Sequence, residues 1–206
     1  MLAATIVYMP GSAGMFLYRV LTLSERTITG TTGADPKEYS RRLTAEEKFE
    51  RYNNWDGDSW KTAESTTLLS FKCSDVDYYH YVDSDLALID YWHPNEFLDL
   101  DLWTDDSFYQ HVILIDSTNK QDFLIANQQS KHYNLDWAWE KSAYDSIREQ
   151  YQDQVLTINF DDFFDGNRFI QAVKKLDQAL DLELNYVLVE KLWTRWYNQS
   201  LQAWKK

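Results

Sequence analysis

The chain is poor in cysteine, proline, glycine and positive charge, and it has no long apolar run. One cysteine, Cys73, stands among 206 residues, so no disulfide can close within the chain and no cysteine-based zinc ribbon can form. A lone thiol suits a reducing cytosol, and a cytoplasmic location is expected. Three prolines and six glycines leave no breaker-rich hinge, and no internal repeat is present. A single domain over residues 1–206 is the simplest organisation. Twenty Lys and Arg face 33 Asp and Glu, a formal charge of −13. Such a field repels the phosphate backbones that nucleic-acid binders must neutralise, so no DNA or RNA partner is expected. The longest N-terminal apolar stretch, Leu2 to Met9, lacks a basic flank and falls far short of the ~20 residues that cross a bilayer. No membrane association is expected.

What the chain does have is core-forming material: 44% hydrophobic residues, 16% aromatic, nine of them Trp. Ala3 to Met9 is a short β-rich run stopped by Pro10-Gly-Ser-Ala-Gly14, after which Met15 to Leu23 carries apolar residues at helical spacing. Strand, tight loop and helix follow. The Gly- and Thr-rich stretch through Thr27 to Gly33 reads as an exposed connection. Thr44-Ala-Glu-Glu47 is a capping-box pattern ahead of a helix running towards Tyr52. Strands are predicted at Thr67–Phe71, Leu86–Ile89, His111–Ile115 and Gln154–Ile158. Helices are predicted at Lys120–Tyr133, Trp137–Tyr151, Asn167–Leu180 and Asn185–Trp204, the third with Asp165-Gly-Asn167 as its start signal. Continuous apolar strands separated by helices indicate an α/β fold: one doubly wound domain with a central, mostly parallel sheet of about five strands.

In such a sheet ligands bind beyond the carboxyl ends of the strands. Three segments directly follow predicted strands: Pro10–Gly14, Asp90–His93 and Asp116–Asn119. The first can present successive backbone N–H groups at a helix N-terminus, a potential anion cradle, although its glycines also serve any tight strand-to-helix turn. A nucleotide-hydrolysing loop would continue Gly-Lys-[Ser/Thr], whereas here Gly14 is followed by Met15 and Phe16, which disfavours an ATP-dependent kinase. Asp90 could hold a metal or simply cap a strand. His93 could take a proton from an acceptor hydroxyl or be an ordinary loop histidine. His80, His111 and His132 lack metal-ligand spacing, and the Asp clusters at 75–85 and 99–106 lack calcium-loop order, so no metal is expected. The aromatic segments Tyr78–Tyr81 and Trp137–Trp139 could line a pocket or fill the core.

Taken in order, these segments resemble the sulfotransferase family, which uses the activated sulfate donor PAPS on a P-loop-type α/β fold without a metal. Pro10-Gly-Ser-Ala-Gly-Met-Phe-Leu-Tyr-Arg-Val-Leu21 is similar to the family's first-strand loop, commonly P-K-S-G-T-T-W-L. Tyr91-Trp-His-Pro94 resembles the K-T-H-x-P region. The strand Val112–Ile115 with the helix through Ser130 resembles the R-x-P-x-x-x-x-x-S region. Leu156-Thr-Ile-Asn-Phe-Asp-Asp-Phe163, then Phe169 to Leu182, resembles the late Y-E-D-L element and the helix after it. The resemblance implies that PAPS is the co-substrate, its 5′-phosphosulfate held by the backbone of Gly11, Ser12, Ala13, Gly14, Met15 and Phe16 and by Ser12 Oγ. It implies His93 as the base, and Asn127 or Ser130 at the 3′-phosphate. The loop lysine of the family is Gly11 here and its strand-end arginine is Asp116, with Arg19, Lys120 or Lys131 as the cations available to replace them. A hydroxyl or amine on a small molecule or glycan is the implied acceptor, chosen by the segment from about Ile28 to Asp85, for which no motif is found. No motif bears on oligomeric state. The alternative is a non-catalytic binding module on the same fold, left after the phosphate contacts were lost.

Overall fold

The computed structural model describes residues 2–8, 12–28, 44–53, 86–91, 109–116 and 137–204. Their elements are β1 (Leu2–Val7), α1 (Gly14–Leu21), β2 (Thr27–Ile28), α2 (Ala45–Asn53), β3 (Leu86–Tyr91), β4 (Tyr109–Asp116), α3 (Trp137–Tyr151), β5 (Val155–Asn159), α4 (Gly166–Leu180) and α5 (Tyr186–Trp204). Short 3-10 turns at Gln152–Gln154 and Phe160–Phe164 flank β5. Among the described residues all pairings are parallel and the strand order is β2-β3-β1-β4-β5. Helices and a parallel sheet together give the expected α/β class.

Both faces of the sheet are covered. Successive strand residues point to opposite faces, and Ile6 with Val7, and Val112 through Ile115, are all fully buried. Val7 lies beside Leu114 in register, so Val7, Leu114 and Asp116 share one face, the one on which Asp116 meets Arg148 of α3. Tyr8 continues the opposite face and its ring lies against Gly14 at the start of α1. On the α1 side an aromatic cluster closes the core: Phe16 stacks on Trp196 of α5 at 4.5 Å and on Phe169 of α4 at 5.4 Å, with Phe163 edge-on at 6.2 Å.

Local signals set the helix starts. Thr44 Oγ1 accepts from Glu47 N at 3.2 Å while Glu47 Oε2 accepts from Thr44 N at 2.9 Å, the reciprocal capping box expected ahead of α2. Asp165 Oδ1 accepts from Arg168 N at 3.0 Å and caps α4.

Two expectations need correction. Thr27 and Ile28 are an edge strand rather than an exposed connection, and Thr27 is buried. Lys48 of α2 accounts for this: it is itself buried and donates to Ser24 O, to Thr27 O at 3.0 Å and to Thr27 Oγ1 at 3.2 Å, satisfying the backbone there. Strand β3 runs through Asp90 to Tyr91, so Asp90 is a sheet residue in register with Ile6 and does not stand past the strand end. The predicted strand Thr67–Phe71 and helix Lys120–Tyr133 lie outside the described residues.

Candidate functional site

The chain leaves β1 for edge strand β2, returns beside β1 as β3, and then crosses to β4 on the other flank. Direction therefore reverses at β1, and in parallel sheets ligands bind beyond the carboxyl end of the strand where this happens. The turn at this end contains Ser12, Ala13 and Gly14. Ser12 is fully buried. Ala13 takes φ 64° and ψ 20°, the left-handed conformation that costs an L-residue about 1–2 kcal/mol. Alternating backbone handedness of this kind turns consecutive N–H groups towards one point.

Ala13 is also the N-cap of α1, and its methyl group cannot accept a hydrogen bond. The N-cap residue therefore supplies no side-chain cap to this helix. The first amides of a helix have no partner within it, and a helix N-terminus favours negative charge. Gly14 permits the close approach: a Cβ there would lie 2.1 Å from ring atoms of Tyr8. Steric room, rather than φ, requires glycine at this position.

The residues singled out from sequence divide into three groups. Ser12, Ala13, Gly14, Met15 and Phe16 are brought together by the turn and the first turn of α1, Phe16 with its ring committed to the aromatic core. Arg19 lies in the last turn of α1, 1% exposed, with its guanidinium carbon 6.0 Å from the centre of the Tyr52 ring of α2. Gly11, His93, Asn127, Ser130, Lys120 and Lys131 lie outside the described residues, as does the expected acceptor segment for the most part.

At the carboxyl end of β4, Asp116 pairs with Arg148 Nη2 at 2.7 Å, both side chains partly solvent-accessible. Arg148 also donates to Asp145 at 3.3 Å, and Asn159 of β5 lies in register with Asp116. Sequence reasoning missed Arg148, whose partner is 32 residues away; the only local hint is the Asp145–Arg148 spacing on one helix face. It also missed Tyr8, read there only as part of an apolar strand. His111 stands at the other end of β4, in register with Ala4. Burial pushes its imidazole below the usual range, against a backbone hydrogen bond with Gln154, and it takes no part in this edge.

Among the described residues no group of three or more His, Cys, Asp or Glu could hold a metal ion, and no helix is long and apolar enough to cross a membrane. Neither the protein-family models nor the curated proteins compared with this chain give a match.

Proposed function

We propose that the protein transfers a sulfuryl group from a nucleotide 5′-phosphosulfate, PAPS by resemblance, to a hydroxyl or amine acceptor, on a doubly wound P-loop-type fold. One observation carries this reading: a helix N-terminus whose N-cap, Ala13, is left-handed and has no capping side chain, at the carboxyl end of the strand where the sheet order reverses. That combination suits a multiply charged anion because amide dipoles there point at the ligand and need no reorganisation when charge develops.

The chemistry is an in-line displacement. The acceptor oxygen or nitrogen bonds to sulfur as the bond from sulfur to the bridging phosphate oxygen breaks; the acceptor proton passes to His93 and the nucleotide leaves with the bond's electron pair. Amides from Gly11 to Phe16, with Ser12 Oγ, stabilise charge on the sulfuryl and bridging oxygens. Specific observations also favour the second reading, a binding module without turnover. The ring of Tyr8 covers Gly14, and a carboxylate, Asp116, stands at the neighbouring strand end.

Calorimetric titration with PAP, the desulfated donor, tests the first step. Micromolar affinity is expected, and no heat at millimolar concentration overturns the transferase reading. Turnover of PAPS that drops about 10²- to 10⁴-fold in His93→Ala, with PAP affinity kept, distinguishes the enzyme from the module. Binding without any turnover leaves the module.

A further inference from the structure

We infer that the outer edge of β5 is a docking site for an extended peptide segment of a partner protein, one whose alternating β-branched residues are flanked on both sides by lysine or arginine. This stands apart from the transfer chemistry and does not depend on it.

Geometry comes first. Among the described residues the sheet ends at β2 on one flank and at β5 on the other. A bare edge invites pairing with another chain, and proteins commonly blunt it with short length, charge, proline or a bulge. The β2 edge is blunted: it has two residues, and Lys48 donates to Thr27 O at 3.0 Å. By contrast β5 runs Val-Leu-Thr-Ile-Asn over five residues, without charge, proline or glycine, in unbroken register with Val112 to Asp116 of β4. Thr157 and Asn159 are exposed, and Val155 and Leu156 are half-buried. Among the described residues its backbone bonds only to β4 and to the turns that flank it. An edge strand turns a row of N–H and C=O groups away from the sheet, so an incoming strand finds a ladder to extend.

Charge chooses the occupant. Residues 141–168, which contain β5 and its flanks, hold six Asp and Glu against three Lys and Arg. All three cations are engaged: Lys141 by Asp145 at 3.1 Å, Arg148 by Asp116 at 2.7 Å, and Arg168 by Asp162 and Asp165, both at 3.8 Å. Glu149 and Asp153 are exposed. They precede β5, while Asp161, Asp162 and Asp165 follow it, so both ends of the edge are negative. A bound segment with cations at both ends therefore meets carboxylates whichever way it runs. Its alternate residues lie beside half-buried Leu156 and complete the apolar cover there. A second copy fits badly. Antiparallel pairing about Thr157 sets the Asp153 end of one copy against the Asp161 and Asp162 end of the other, and two chains of −13 already repel.

The experiment titrates the full chain at low salt with a labelled synthetic peptide, Lys-Lys-Val-Thr-Val-Thr-Val-Lys-Lys, and with its twin carrying Glu in place of every Lys. Fluorescence anisotropy reads affinity, and amide hydrogen exchange reads the location. The basic peptide is expected to bind saturably, and the acidic twin at least about tenfold more weakly. Exchange at the amides of Val155 to Asn159 is expected to slow about tenfold or more when the basic peptide is bound, with the amides of α4 unchanged. Thr157→Lys places a charge at an exposed edge position and is expected to weaken the basic peptide by about tenfold. Asp153→Lys, outside the strand, is expected to weaken it in the same direction and serves if Thr157→Lys fails to fold. Equal affinity for the two peptides, or no binding at millimolar concentration, overturns the inference. So does binding that leaves exchange at β5 unmoved, which is diffuse attraction of cations to an acidic chain. Sedimentation of the chain alone as a dimer, with the same amides protected, overturns it in favour of a second copy at this edge.

Discussion

Gly14 and Tyr8 illustrate what a pair of side chains can impose on a turn. A β-carbon at position 14 would have to occupy space held by the Tyr8 ring, 2.1 Å from its nearest atoms, and Tyr8 is itself 5% exposed with no open space to retreat into. Overpacking of this kind costs about 1–3 kcal/mol. Gly14→Ala is therefore expected to lower stability to urea by that amount, and most of the penalty should vanish in a Tyr8→Ala background, since the clash has then lost its partner. Equilibrium unfolding of the two single variants and the double variant measures the coupling; additivity within about 0.5 kcal/mol would show that the ring is not what demands glycine. Sequence located the turn from Pro10, Gly11 and Gly14, because breakers after a β-rich run are a local signal. It could not locate the reason for Gly14, because nothing in the sequence says which way Tyr8 turns. The same limit applies to Asp116 and Arg148, each unremarkable alone and informative only once α3 is laid across the end of β4.

Elements whose ends are fixed by their own residues were the legible part of the fold. Helix α3 spans Trp137–Tyr151 as predicted, and α2 follows its capping box. Helix α4 starts where Asp165-Gly-Asn167 indicates. Strand β2 was not legible, since two residues carry no periodicity and their place in the sheet depends on Lys48 of α2. The cap of α4 gives a test at this scale. Asp165 Oδ1 holds Arg168 N at 3.0 Å, and replacing an aspartate cap by alanine costs about 0.5–2 kcal/mol. Asp165→Ala is expected to lower the urea midpoint accordingly with an unchanged slope, because the cap touches no core surface. A midpoint equal to that of the wild type would show that Asp165 contributes nothing through the cap. By contrast Ala13 gives α1 no side-chain cap to remove, and the first turn of that helix is held by packing of Phe16 on Trp196 and Phe169.

Across the whole molecule the governing quantity is the charge of −13. A chain of this length folds to a radius of gyration of roughly 17 Å. At about 0.01 M salt the Debye length is ~30 Å, longer than that radius, so nearly all the carboxylates feel one another; at about 0.1 M it is ~10 Å and distant repulsion is largely gone. The expanded unfolded chain is less strained by its own charge, so raising the salt relieves the folded state more, by an amount on the order of a few kcal/mol. Salt also weakens favourable pairs. Those among the described residues, Arg26 with Asp181 and Glu183, Arg148 with Asp116 and Asp145, Arg168 with Asp162 and Asp165, and Lys141 with Asp145, all have solvent-accessible partners, and such pairs contribute at most ~1 kcal/mol each. Relief of self-repulsion acts over every excess carboxylate whereas these losses are few and local, so the melting temperature is expected to rise as sodium chloride increases from about 0.01 M to about 0.1 M. Thermal unfolding followed by circular dichroism over that series measures the sign. A fall in melting temperature would mean that the few ion pairs outweigh the net charge, and the acidic surface would then have to be regarded as organised around its arginines rather than as a diffuse repulsive shell.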